Sequence, residues 1–256
     1  MNIFQAAILG VVQGFTEFLP VSSSGHLVLF QELLNIEHGT VFFDIFVHFA
    51  TLLAVLIYFR KAILSITKKE LFAIVVASAP AGIVGLLFED QITAAFSSVV
   101  LVGMFLIFSG TLNFVTDFLL RKQSIFKETV GLREALFIGL FQALAILPGI
   151  SRSGSTVSAG IMQHLERKTA FRFSFLMVIP VILGANLAQL IKVLQGQALA
   201  FDITIFLIGG LFAFVSGLLS LRLFEYVIVK AKINFFGWYC VILGLSVVFY
   251  NSVILN

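Results

Sequence analysis

Apolar residues run in unbroken blocks at about 42–59, 71–88, 97–119, 171–191, 202–221 and 235–254, with the charges collected between them. A helix needs roughly 20 apolar residues to cross roughly 30 Å of hydrocarbon, so each block is long enough to span a membrane. Two further apolar stretches, 3–34 and 134–163, are interrupted by Pro20 to Gly25 and by Pro148 to Gly154. Each is either one kinked crossing or a re-entrant hairpin that enters and leaves on the same side. The pattern predicts an all-α integral membrane protein with one domain over 1–256 and no internal linker.

Composition agrees with that pattern. Of the 256 residues, 60% are hydrophobic and 11% charged, and mean hydropathy is +1.10, whereas soluble domains carry about 25% charge. The single cysteine, Cys240, excludes an internal disulfide and a zinc cluster and is expected as a small core residue. No Lys or Arg precedes the first apolar run, so no cleaved signal is expected there.

Basic residues decide the topology, because loops rich in Lys and Arg stay on the cytoplasmic side. They form four clusters: Arg60, Lys61, Lys68, Lys69; Arg121, Lys122, Lys127, Arg133; Arg167, Lys168, Arg172; and Arg222, Lys230, Lys232. If 134–163 is re-entrant, all four clusters lie inside and both termini face outward. If it crosses, the last two clusters fall outside. A re-entrant hairpin fits better, and the net charge of +3 is then a topology signal rather than a nucleic-acid surface.

Shifting the sequence by 129 positions matches Ala6 to Ala135, Gly10 to Gly139, Gln13 to Gln142, Ser22 to Ser151, Ser24 to Ser153 and Gly25 to Gly154. Each half, about 1–120 and 130–256, then reads as a re-entrant helix-loop-helix followed by three transmembrane helices. Three crossings invert the second half relative to the first. Inverted repeats with broken helices carry their sites near the midplane, where irregular backbone is tolerated only inside protein or a polar cavity.

The two broken tips hold the candidate chemistry. The first contains Gln13 and Glu17, one helical turn apart, then Pro20-Val-Ser22-Ser23-Ser24-Gly25-His26. Serines of this kind also serve helix packing, but ionisable groups such as Glu17 and His26 at membrane depth point to function. The second contains Pro148-Gly149-Ile150-Ser151-Arg152-Ser153-Gly154-Ser155-Thr156. A mid-membrane Arg costs about 2.5–3.5 kcal/mol, so Arg152 needs an anion. That anion is either Glu17 across the repeat interface or a phosphate, which guanidinium grips two oxygens at a time.

The Gln-x-x-x-Glu pair, the PVSSSGH tip and PGISRSGST together resemble the undecaprenyl-diphosphatase family, the bacitracin-resistance type, over essentially the whole chain; SGH alone would carry little weight. The resemblance implies hydrolysis of undecaprenyl diphosphate to undecaprenyl phosphate, recycling the lipid carrier at the outer face of a bacterial inner membrane, with a divalent cation, Mg or Ca. A homodimer is compatible with it. The resemblance also implies that the position of Gln13 varies, being Glu in some relatives, which leaves Glu17 as the carboxylate of interest and Gln13 as a supporting group.

For that chemistry the expected catalytic residues are Glu17, Ser23, His26 and Arg152. Ser22, Ser151, Arg152, Ser153 and Thr156 are expected to bind phosphate. Either His26 activates Ser23 as nucleophile or His26 attacks phosphorus itself. Glu17 either binds the cation or orients His26 or water. Asp44 and His48, one turn apart, are expected as a solvated interfacial pair, and His38 and His164 as loop residues. The 30 Phe are expected at the lipid surface and in helix packing, and Arg167→Lys should be nearly silent.

Two other classes compete. A polyprenyl-phosphate flippase or secondary transporter needs the anion cradle but no nucleophile. A relative of the type-2 phosphatidic acid phosphatases would want a His six residues after the Arg, where this chain has Ser158.

Overall fold

The computed structural model describes residues 1–36, 40–122, 126–196 and 202–253; the expectation for His38 lies outside them. The described residues form α1 (Ile3–Phe18), α2 (Ser23–Leu33), α3 (Thr40–Tyr58), α4 (Arg60–Leu64), α5 (Lys68–Leu87), α6 (Glu89–Phe96), α7 (Val99–Lys122), α8 (Leu132–Leu144), α9 (Arg152–Met162), α10 (Arg167–Gly196), α11 (Ile203–Val229) and α12 (Asn234–Val253). Six of these, α3, α5, α7, α10, α11 and α12, are long and apolar enough to cross a membrane. They sit on the six apolar blocks. Polar residues supply the helix starts: the Thr67 hydroxyl accepts from the Glu70 amide, so that α5 begins ahead of its block, and the Asp202 carboxylate accepts from Thr204 at the start of α11.

The two broken stretches are hairpins. At 1.5 Å per residue, α1 and α2 are about 24 and 17 Å long, and α8 and α9 about 20 and 17 Å, each too short to cross alone. Gln5 near the start of α1 donates to the Leu34 carbonyl after α2 at 3.1 Å. Lys127, just before α8, donates its amide to His164 at 2.7 Å and accepts from Glu166 at 2.8 Å, just after α9. Entry and exit of each hairpin therefore lie side by side, and His164 is a loop residue with φ of 62°.

Close backbone approach fixes the helix directions. A Cβ on Gly10 would sit 2.3 Å from the Gly209 carbonyl oxygen, and one on Gly14 would sit 2.4 Å from that of Ala213, so α1 and α11 run parallel. The second hairpin packs likewise on the first half: Gly139 of α8 lies on Ala77 of α5, and Ile146 lies near Gly85. Between α7 and α12 the pairs are Gly103 with Gly244 and Gly110 with Gly237, which makes these two antiparallel. Such small-residue contacts let van der Waals packing and carbonyl-directed hydrogen bonds hold helices together in lipid. The bonds of Ser220 to Gly14 at 2.8 Å and Ser216 to Gly10 at 3.5 Å are examples.

Phenylalanines divide between two environments. Phe18, Phe59, Phe171, Phe175 and Phe224 form a buried aromatic cluster, while Phe72, Phe235 and Phe249 lie on the outer surface with Leu86, Leu207 and Trp238. The two terminal nitrogens of Arg167 donate to the carbonyls of Val229 and Leu120, each at 2.7 Å, tying the ends of α11 and α7 to the start of α10. A lysine cannot span both acceptors, so Arg167→Lys should lose one of these two ties, while the expectation for its activity stands untouched by them.

Candidate active site

Pro20 ends α1 because its ring lacks the amide that a continuing helix needs. The chain then turns through Ser22, whose φ is 72° and ψ 101°. For a non-glycine residue this region costs about 1–3 kcal/mol and persists only where surroundings impose it. They do so here. The Ser22 hydroxyl accepts from the Gly25 amide at 3.3 Å and from the Gly149 amide of the other tip at 3.1 Å. Its carbonyl accepts from the His26 ring at 2.7 Å.

The second tip is built the same way. The Ser151 hydroxyl caps α9 through the Gly154 amide at 3.1 Å, and Gly149 takes φ of 99° where a Cβ would meet the Val102 carbonyl oxygen at 2.5 Å. Further bonds lock the tips together. Ser153 donates to Leu19 at 3.0 Å, Asn113 to Pro20 at 2.8 Å and Ser109 to Gly149 at 2.9 Å. Ser109 also accepts from the Ser151 amide at 2.9 Å. Cys240 is buried against the same Pro20 carbonyl.

Glu17 is the hub. Its Oε1 accepts from the Arg152 guanidinium at 2.7 Å. Its Oε2 accepts from the Ser23 hydroxyl at 2.6 Å and the Gln13 amide at 3.3 Å. Glu17 is only 7% exposed and Arg152 14%, so this pair stands in a medium where leaving either partner alone would cost several kcal/mol. The guanidinium also lies over the Phe175 ring, 5.5 Å from its centroid. Its other terminal nitrogen, Nη1, is buried with no hydrogen-bond partner among the described residues, as is the Gln13 Oε1 atom.

The structure thus brings Glu17, Ser23, Arg152 and Gln13 into direct contact. His26 makes no hydrogen bond to any of them; its Nδ1 faces the Ser22 carbonyl, and its Nε2 faces the Tyr239 hydroxyl at 2.7 Å. The hydroxyls of Ser22, Ser151 and Ser153 are engaged in caps and tip-to-tip bonds. Thr156 turns back to the Arg152 carbonyl at 2.9 Å and to Ser174 at 2.6 Å.

Two neighbours were missed. The Asp44 carboxylate accepts from Gln31 at 2.9 Å, and His48 bonds the Asp44 backbone carbonyl through Nδ1 at 2.7 Å. The His48 Nε2 lies 3.8 Å from the Glu17 carboxylate. His48, expected at the interface with Asp44, thus lies within ion-pair range of Glu17 and belongs to the site. The helix spacing of Glu17 and His48 in separate segments carries no signal for this. Tyr239, on the last helix, lacked one too.

Comparisons with known proteins agree with one another. The family model described as bacitracin resistance protein BacA matches residues 6–246. The undecaprenyl-diphosphatase of Halothermothrix orenii is 42% identical over 254 residues, covering 97% of this chain and 98% of that protein. Those of Thermosipho africanus and Methanobrevibacter smithii are 40% and 36% identical, covering 94% and 99% of this chain and 98% and 99% of their own lengths. With a family match across nearly the whole chain and relatives of this identity end to end, the chain belongs to the bacitracin resistance protein BacA family.

Proposed function

We propose that this protein hydrolyses undecaprenyl diphosphate to undecaprenyl phosphate and inorganic phosphate, returning the lipid carrier to cell-wall synthesis. The observation that carries this is the Glu17 carboxylate, which holds a serine hydroxyl with one oxygen and a guanidinium with the other. The relatives' names give the substrate.

Arg152 binds the terminal phosphate through its unpaired Nη1 and gives up its hold on Glu17 as the anion arrives. The freed carboxylate takes the Ser23 proton while Ser23 Oγ forms a bond to the terminal phosphorus. The bond from phosphorus to the bridging oxygen breaks, and the lipid monophosphate leaves with the electron pair. Water then hydrolyses the phosphoserine, inorganic phosphate departs and Ser23 regains its proton. The leaving group needs little protonation, so charge neutralisation and a positioned nucleophile supply most of the rate. Among the two openings left by the sequence, a serine activated by the neighbouring carboxylate fits the contacts better than one activated by His26. The Ser22 and Ser151 hydroxyls cap α2 and α9 through the Gly25 and Gly154 amides, Ser153 and Thr156 brace the start of α9 through carbonyls, and the first amides of both helices are then available to phosphate.

The donor set fits a hard divalent cation, Mg or Ca. Glu17 and the partnerless Gln13 Oε1 are oxygen donors, and such ions are held by one or two carboxylates plus substrate phosphates. Bound there, the ion would neutralise diphosphate charge. A carrier would need the anion cradle without a hydroxyl held on a carboxylate, so the contacts favour the hydrolase over the flippase.

The inverted repeat belongs to this proposal. Its support is reciprocal packing, in which the first hairpin lies parallel on α11 of the second half and the second hairpin parallel on α5 of the first. With the basic loops inside, the first hairpin enters from the outer face of the plasma membrane, where the site would open. Cysteines near Lys68, Lys127, Lys168 and Lys230, in a chain lacking Cys240, should resist an impermeant thiol reagent applied outside; labelling near Lys168 would overturn the arrangement. For activity, purified protein given undecaprenyl diphosphate should release phosphate, and a chelator should stop it. Movement of lipid phosphate between leaflets without phosphate release would favour the transporter instead.

A further inference from the structure

We propose that Tyr239 is a positioning residue of this site: it holds the His26 imidazole in the tautomer that presents a lone pair at Nε2, and it yields that nitrogen when the diphosphate binds. This rests on the hydrolase reading above and adds to it a step left there to no residue: with the Ser23 proton on Glu17, the His26 Nε2 accepts the proton of the water that hydrolyses the phosphoserine, and Glu17 returns its proton to Ser23.

Three observations converge on it. The Ser22 carbonyl can only accept, so the His26 Nδ1 facing it at 2.7 Å must carry a proton. His26 is 2% exposed and has no carboxylate in hydrogen-bond or ion-pair range among the described residues, so a second ring proton would be an uncompensated buried charge. The Nε2 atom is therefore an acceptor, and the Tyr239 hydroxyl at 2.7 Å donates to it. The two rings also stack, with centroids 5.6 Å apart and planes 12° from parallel.

Tyr239 thus contributes two separable things, a ring that sets the plane of the imidazole and a hydroxyl that sets its protonation. It comes from α12, the last helix, and is 41% exposed while His26 is buried. A partner on the outer side of a buried imidazole can swing away without rebuilding the core. The strained Ser22 gains a reason as well. Its carbonyl accepts from the His26 ring and so fixes Nδ1–H, which ties the strained turn to the imidazole it orients.

Tyr239→Phe keeps the ring and removes the hydroxyl. We expect the thermal midpoint to hold and kcat for phosphate release to fall about tenfold. KM should stay level or fall, because substrate no longer displaces a hydrogen bond. In a His26→Ala background the same substitution should do nothing further, since its effect runs through the imidazole. The second readout needs no turnover. In protein labelled with ring-15N histidine, the His26 signal, assigned by its loss in His26→Ala, should show one neutral tautomer with Nε2 unprotonated in the wild type. In Tyr239→Phe it should show a mixture. An unchanged His26 spectrum, or an equal loss of kcat with and without His26, would overturn the proposal. A wild type with the expected spectrum but no phosphate release would instead count against the hydrolase reading alone.

Discussion

Tip one, residues 13–26, and tip two, residues 142–155, repeat one framework. Ser22 and Ser151 both cap their helices through a glycine amide three residues on. Ser24 and Ser153 both lie 3.3 Å from those capping hydroxyls. Gln13 and Gln142 are both buried with Oε1 lacking a partner among the described residues. Where the tips differ, Glu17 stands against Ile146, Ser23 against Arg152 and His26 against Ser155. Those are the residues that carry the proposed chemistry. What the two tips share is the scaffold, two serine-capped helix starts facing each other, and what differs is the set of ionisable and nucleophilic groups placed on it. The ion pair of Glu17 with Arg152 crosses from one tip to the other, so neither tip is a site alone.

Giving tip one the residue of tip two is the strongest way to break that comparison. Glu17→Ile leaves Arg152 buried without its anion, and breaking such a pair costs about 3–5 kcal/mol. Thermal unfolding in detergent should show that loss, and phosphate release should drop more than about 1,000-fold. Where Glu17→Ile fails to fold, Glu17→Gln keeps a polar partner and should still lose most of the turnover. The next effect separates charge from shape. Arg152→Lys keeps the cation but not the fork that reaches Glu17 with one nitrogen and offers another, so kcat/KM should fall about 100-fold with little change in stability. Near-normal turnover would reduce Arg152 to an electrostatic role.

The sequence made some of this legible and left the rest hidden for physical reasons. Six apolar blocks and two broken ones are one-dimensional signals, because lipid demands runs of a fixed length. Arg152 and Glu17 were conspicuous because charge at membrane depth needs a cause. The hydroxyls were harder. A serine in a tip reads equally as phosphate ligand or helix cap, and the bonds of Ser22 and Ser153 to backbone across the tips depend on a partner segment more than 120 positions away. His48 and Tyr239 reach the site from α3 and α12 by packing alone. Arg167 looked like one more topology-marking cation, and only the convergence of the α7 and α11 ends explains its fork.

Scaffold positions should respond in stability first. Ser22→Ala removes the cap and strands the buried Gly149 amide, while the methyl side chain does nothing for a φ of 72°. A cap is worth about 0.5–2 kcal/mol and an unsatisfied buried donor about 1–3, so a total near 3 kcal/mol is expected. Ser151→Ala, at ordinary φ and with one amide to cap, should cost about 1 kcal/mol. Ser22→Gly should recover part of the Ser22→Ala loss by relieving the backbone. Equal midpoints for the two alanine variants would show that the tips are interchangeable, and no gain of Ser22→Gly over Ser22→Ala would show that Ser22 carries no extra strain.

The smallest expected effect concerns the glutamines, and it discriminates most finely between the tips. Gln13 and Gln142 occupy equivalent places, and each amide nitrogen finds one acceptor: the Glu17 carboxylate at 3.3 Å for Gln13, the Ala77 carbonyl at 3.4 Å for Gln142. If the repeat preserves them only for packing, Leu in either place should behave alike. If Gln13 serves the site, its loss removes a donor from Glu17 and an oxygen from the cation's neighbourhood, while loss of Gln142 removes only a long hydrogen bond and an amide oxygen that already lacks a partner. Replacing such a half-satisfied amide by an apolar side chain of similar size is nearly neutral. Gln142→Leu should therefore stay within about 0.5 kcal/mol in stability and about twofold in turnover. Gln13→Leu should lose about tenfold in kcat/KM and need more divalent cation to reach half its maximal rate. A Gln142→Leu variant as impaired as Gln13→Leu would mean that the two glutamines do one structural job, and that the chemistry begins at Glu17.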